Sequence, residues 1–237
     1  SLTKSDFLSS PQYAQVLPKL TSLSLNGEFA PERLEPLAFA EMPVDLQSLS
    51  LTNIALRTPN RIRCLPCLTN LSWSGAISSS EVRSITDLSR LRSLCIVDAS
   101  VSVPLHHLAF PELKILTIEV HENHVSWLRA IGRLSKLEVL GFLSLGCYQV
   151  CHKGLSELEN LPNLRSLRIN RVASDISWKT NLKLWKQLET LHINICDTFC
   201  EECTLPDLEA LVPYLRVDYI GSNRYDFLYL HHRELES

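Results

Sequence analysis

The chain has no apolar run approaching the roughly 18 residues that a membrane-crossing helix needs. Its opening, Ser1-Leu2-Thr3-Lys4-Ser5-Asp6, lacks the charged-then-apolar layout of a secretory leader. The expectation is an intracellular chain, cytoplasmic or nuclear, and the start without Met fits a processed product or a piece cut from a longer protein. Only 7 glycines occur in 237 residues, which leaves little material for a phosphate-cradling loop. No P-loop, G-x-G-x-x-G or G-x-S-x-G is present. A surplus of one charge is missing too. The formal net charge of -3 supplies no global basic field for nonspecific nucleic-acid binding, so nucleic acid is not an expected partner.

What is present argues for a folded protein. Charged residues make up 21% of the chain without a block of like sign, and a hydrophobic share of 45% is enough to bury a continuous core. No stretch reads as a linker, so 1-237 is expected to be one domain. Eight cysteines would suffice for four disulfides in an oxidising compartment. A chain of this length and apolar content does not need such staples, and most of the cysteines are read as free thiols.

One short phrase of apolar spacing, L-x-x-L-x-x-L-x-L, recurs along the chain. It reads Leu17-Leu20-Leu23-Leu25, Leu46-Leu49-Leu51, Leu65-Leu68-Leu71-Trp73 and Leu88-Leu91-Leu94-Ile96. It continues as Phe110-Leu113-Leu116-Ile118, Leu134-Leu137-Leu140-Phe142, Leu161-Leu164-Leu167-Ile169 and Trp185-Leu188-Leu191-Ile193, with a degraded copy at Val212-Leu215-Val217. Successive copies are 22 to 27 residues apart. The closing L-x-L alternation sends its leucines to one face of a short strand and the residue between them to the other. One repeat cannot bury its apolar face alone, so stability must come from stacking copies and capping the ends. Strands are predicted at 22–26, 48–52, 70–74, 93–97, 115–119, 139–143, 166–170, 190–194 and 214–218. Residues 1-16, with Phe7, Tyr13 and Val16, are expected to cap one end. Residues 219-237, with Tyr219, Tyr225, Phe227, Leu228 and Leu230, are expected to cap the other.

Through these phrases the chain resembles the leucine-rich-repeat superfamily over nearly its full length, 17-218. The resemblance implies an α/β fold, a leucine-rich-repeat solenoid of about nine repeats with a curved parallel sheet on the concave face and short helices and turns on the convex face. The irregular period and helix-like returns at 78–85, 124–131 and 154–158 look most like intracellular ribonuclease-inhibitor-type and F-box-associated repeats. The residue closing L-x-L-x-x-N/C is Cys196 in one copy, but Ile54, Ala76, Ala99, His121, Leu145 and Val172 in others.

The residue between the two strand leucines lists the concave face rung by rung, about 4.8 Å apart. The line reads Ser24, Ser50, Ser72, Cys95, Thr117, Gly141, Arg168, His192, Arg216. Its neighbours include Asn170, Asn194 and Tyr214. Arg168, His192 and Arg216 are expected to bind an acidic or phosphorylated segment of another protein, because the guanidinium fork matches carboxylate and phosphate. Ser24, Ser50 and Ser72 form a second candidate region. A solvated polar face without a ligand is the alternative. Val97 and Leu143 offer apolar anchors, whereas Trp73 and Phe142 occupy leucine positions and belong to the core.

Catalytic and metal chemistry find little support. Cys196, Cys200 and Cys203 have spacing for three corners of a zinc site but no evident fourth ligand, so buried thiols are the preferred reading. Cys64-x-x-Cys67 stands without a second pair, and His121-Glu122-Asn123-His124 is one residue short of H-E-x-x-H. The expected function is non-catalytic protein recognition by a chain that is monomeric outside its complex, without cofactor or membrane. Two roles come from the resemblance: the substrate-reading part of an F-box-type ubiquitin ligase receptor, and the repeat domain of an immune receptor or effector.

Overall fold

The computed structural model describes residues 20–26, 44–53, 59–75, 77, 79–97, 110–120, 124–144, 152–172, 187–195 and 216–219. They belong to two compact units, Ser1–His121 and Glu122–Ser237. The expected caps at 1-16 and 220–237 lie outside the described residues.

In the first unit, five strands pair in parallel and in chain order: β1 (Ser22–Asn26), β2 (Ser48–Thr52), β3 (Asn70–Ser74), β4 (Ser93–Val97) and β5 (Ile115–Val120). The second unit repeats the scheme with β6 (Val139–Ser144), β7 (Ser166–Val172), β8 (Thr190–Ile195) and β9 (Arg216–Tyr219). Eight strands begin where the spacing predicts, and β9 begins two residues late. The helical returns are α1 (Ser79–Thr86), α2 (His124–Ile131) and α3 (His152–Ser156), with 3-10 helices at Pro59–Cys64 and Glu157–Asn160.

The L-x-x-L spacing has a local cause. In several copies the leucines that precede the strand donate their N–H to the carbonyl three residues back, as in Leu88 to Ile85 (3.0 Å) and Leu91 to Leu88 (3.1 Å). Successive three-residue turns return every third side chain to the same side. A second device ties neighbouring repeats. The carbonyl just before each strand accepts two N–H groups from the next copy: Thr21 O from Gln47 and Ser48, Arg92 O from Lys114 and Ile115, Arg165 O from Glu189 and Thr190. These paired bonds set the register, so each inward apolar residue is in register with another, as in Leu23↔Leu49, Leu51↔Trp73 and Leu167↔Leu191.

The resulting core is continuous within each unit. Leu49, Leu71, Leu94 and Leu116 are buried in the first, and Leu140, Leu167 and Leu191 in the second. Trp73 and Phe142 are fully buried, as their leucine positions require. The Trp73 indole N–H lies among these apolar groups without a hydrogen-bond partner.

Strand ends need left-handed backbone. Asn53 has φ 55 and Gly75, one repeat later, has φ 116. Asn tolerates the first value, but a side chain at the second is strained, and a Cβ on Gly75 would meet Asn53 Cα at 3.2 Å. Gly75→Ala is therefore expected to lower stability by about 1–2 kcal/mol, read as an earlier midpoint in urea unfolding. An unchanged midpoint would mean that this turn relaxes freely.

Candidate protein-binding face

One face of each sheet carries the stacked leucines, and the other carries the residues between them. The character of this second face changes along the first unit. At β1 it is exposed at Ser22, Ser24 and Asn26; at β2 Ser48, Ser50 and Thr52 are half-buried. At β3 Asn70 is exposed, with Ser72 and Ser74 half-buried. Register aligns these nine residues in three rows: Ser22–Ser48–Asn70, Ser24–Ser50–Ser72 and Asn26–Thr52–Ser74. The grid is uncharged and short. A partner's side chains can reach close to the backbone across it.

From β4 onward the face closes. Cys95 and Val97 on β4 are buried, and on β5 Thr117 and Glu119 are 3% and 1% exposed. In the second unit Leu143 is buried, Arg168 is 4% exposed and His192 is 8% exposed. A solvated polar face is therefore present at β1 to β3 and not at Cys95, Thr117, Arg168 and His192. The burial does not follow side-chain size: the small outward residues Ser93, Cys95 and Thr117 are buried together with Glu119, Arg168 and His192. Glu119, Arg168 and His192 each have an interaction partner, although Arg168 Nε and His192 Nδ1 are themselves buried without a hydrogen bond.

Register also corrects the line itself. Arg168 pairs with His192, as expected, and Asn170 with Asn194. His192, however, pairs with Asp218, and Arg216 lies beside Thr190. The three expected donors are therefore not consecutive, because β9 is displaced by two residues relative to the phase set by Val212-Leu215-Val217. A two-residue displacement keeps the face and changes the neighbour. The apolar positions in register are Leu191↔Val217 and Ile193↔Tyr219, so Tyr219 belongs to the last strand. The alignment of Asp218 with the Arg168–His192 rung was legible in principle: Tyr214, Val217 and Tyr219 each follow a matching apolar position of the preceding copy by 26 residues.

Tyr214 and the cysteine candidates Cys196, Cys200 and Cys203 lie outside the described residues. Among the described residues no group of three metal-ligating side chains comes together. Cys64, Cys67 and Cys95 are free thiols, the first exposed, the second half-buried and the third buried. No helix among the described residues is long and apolar enough to cross a membrane.

The second unit also carries an ion pair on its turns. Arg129 donates from Nε (3.0 Å) and Nη2 (2.9 Å) to one oxygen of Glu157, joining α2 to the 3-10 turn of the next repeat. That hydrogen bond, and then the carboxylate's charge, raise the pKa of the guanidinium above its ordinary value.

These stacked strands and turns define the chain as a leucine-rich-repeat solenoid. Internalin C2 of Listeria monocytogenes strain 4b F2365 has a similar structure, with a TM-score of 0.60 at 21% identity, covering 87% of this chain and 84% of that one. The mouse RP105/MD-1 complex is also similar, with a TM-score of 0.48 at 15% identity, covering 95% of this chain and 43% of that one. No family model and no curated protein matches the sequence.

Proposed function

We propose that the chain is a non-catalytic, intracellular protein-recognition module that receives its partner on the open sheet face of β1, β2 and β3. The observation that carries this reading is the graded exposure of that face. Where Ser24, Ser50 and Ser72 line up, the surface is polar, short and accessible. On β4 and β5 of the same unit the outward residues Ser93, Cys95, Val97, Thr117 and Glu119 are buried. A regular sheet that leaves one end uncovered offers a rigid platform, which holds down the ordering cost of association.

The test is to block the platform without touching the core. Ser24→Arg/Ser50→Glu/Ser72→Arg places three long side chains of alternating charge on the open rows and is expected to leave stability nearly unchanged, within about 0.5 kcal/mol per site, since these positions face outward and opposite charges stand side by side. In cross-linked pull-downs from cell extract, partners held by the wild type are expected to fall about tenfold or more on the variant. An identical partner set on a variant of equal thermal stability would remove the β1–β3 face as the binding site.

A further inference from the structure

We infer that Asn26-Gly27, where β1 ends, is a deamidation site at which the chain's own backbone replaces a neutral amide of the open face by a carboxylate. Its chemistry stands alone, and its consequence for binding rests on the recognition reading above.

The reaction needs an asparagine whose amide carbon is open to attack by the backbone nitrogen of the next residue. That nitrogen is least hindered in glycine, which has no Cβ and the widest choice of backbone angles. Asn26 is the one asparagine of the sequence that glycine follows; isoleucine, leucine, arginine or histidine follows the others. Asn26 is also exposed, so water reaches it, and its register with Thr52 is the last of β1. No inner rung of the sheet is opened when its bond to Gly27 rearranges. Asn70, exposed on the same face, differs on both counts. The residue after it is Leu71, which is buried and held in register with Leu49 and Leu94 inside the sheet.

The Gly27 nitrogen, once hydroxide has taken its proton, attacks Cγ of Asn26. A C–N bond forms, the side-chain nitrogen leaves as ammonia with a proton from water, and a cyclic imide remains. Water then adds to one imide carbonyl and the ring C–N bond at that carbonyl breaks. Opening at Cγ gives aspartate, and opening at the backbone carbonyl gives isoaspartate. No oxidant, reductant or cofactor enters. Register sets residue 26 in a row with Thr52 and Ser74, on a face whose nine residues carry no charge. A carboxylate there would be desolvated without a counter-charge under a partner fitted to the neutral face, so binding is lost as the molecule ages.

The purified full chain is incubated at neutral and at mildly alkaline pH, then digested and mapped by mass spectrometry with isoaspartate distinguished from aspartate. The Asn26 peptide is expected to lose its amide while Asn70 keeps its own, and to do so faster at the higher pH. Gly27→Ala should slow the loss several-fold, and Asn26→Gln should abolish it. Retention of the amide at Asn26, or conversion of Asn26 and Asn70 at equal rates, would overturn the proposal. That comparison is made within one wild-type molecule and needs no variant to fold. The readout needs no partner either, so it is independent of the pull-down that tests the open face. In that pull-down, aged protein is expected to hold less partner than fresh protein; equal retention would overturn the consequence for recognition and leave the chemistry standing.

Discussion

Gly132→Ala is expected to lower stability by about 3 kcal/mol, near the upper end for overpacking, because the added methyl has no room. Gly132 continues α2 by one more helical bond, its N–H lying 2.8 Å from Leu128 O. A Cβ there would stand 2.1 Å from Glu157 O and 3.2 Å from Glu157 C. The obstacle is backbone, so no side-chain rotation relieves it. Glu157 is also poorly placed to retreat, since its carboxylate is held by Arg129 on α2. Moving it shifts the turn carrying Leu158 and Leu161, which are buried in the second unit's core. For a chain of this size the loss corresponds to a fall in Tm of roughly 6–12 °C, measurable by calorimetry or circular dichroism. The exposed Arg129–Glu157 bridge contributes little by itself, so Arg129→Ala should change Tm only slightly. If Gly132→Ala matched Arg129→Ala, the close approach of the two turns would not be needed for the fold.

The legibility of this fold from its sequence varied with the range of the interaction concerned. Strands and their inward leucines depend on local alternation and a repeated three-residue turn, so β1 to β8 begin where the spacing puts them. Helical returns at 124–131 and 78–85 were also readable, from local periodicity and an N-terminal serine run. β9 was misphased because Leu215 fits the leucine pattern as well as Val217 does, and only pairing with β8 decides between them. The serine grid was legible as a run of small outward residues, but its exposure was not, since Ser93, Cys95 and Thr117 are equally small outward residues and are buried. Burial of Glu119, Arg168 and His192 was not, because it depends on what the adjoining rungs bring into contact. Gly132 gave no periodic signal either. Its role arises from a carbonyl that belongs to the next repeat.

Arg168→Ala is the second large effect, expected to destabilise the chain by about 3 kcal/mol, the scale for breaking a buried charged interaction. Arg168 sits on β7 in register with Gly141 on β6 and His192 on β8. At 4% exposure it has left water almost entirely; it keeps an interaction partner, while its Nε is buried without a hydrogen bond. Truncation removes the guanidinium from its partner and also the aliphatic stem of a side chain that is almost wholly buried. Arg168→Met separates the two contributions. It restores the stem without the charge, so its loss should be smaller than that of alanine by the part due to packing. Arg90→Ala, on an exposed turn, is expected to stay within about 0.5 kcal/mol of the wild type. Urea unfolding of the three variants gives the comparison directly. If Arg168→Ala were as stable as Arg90→Ala, the guanidinium would have no part in holding the second unit together. The Arg168–His192 rung would then return as a candidate surface for an anionic partner. The expected ordering, alanine well below methionine at 168 and no change at 90, makes that rung part of the packing and leaves recognition to the open serine rows.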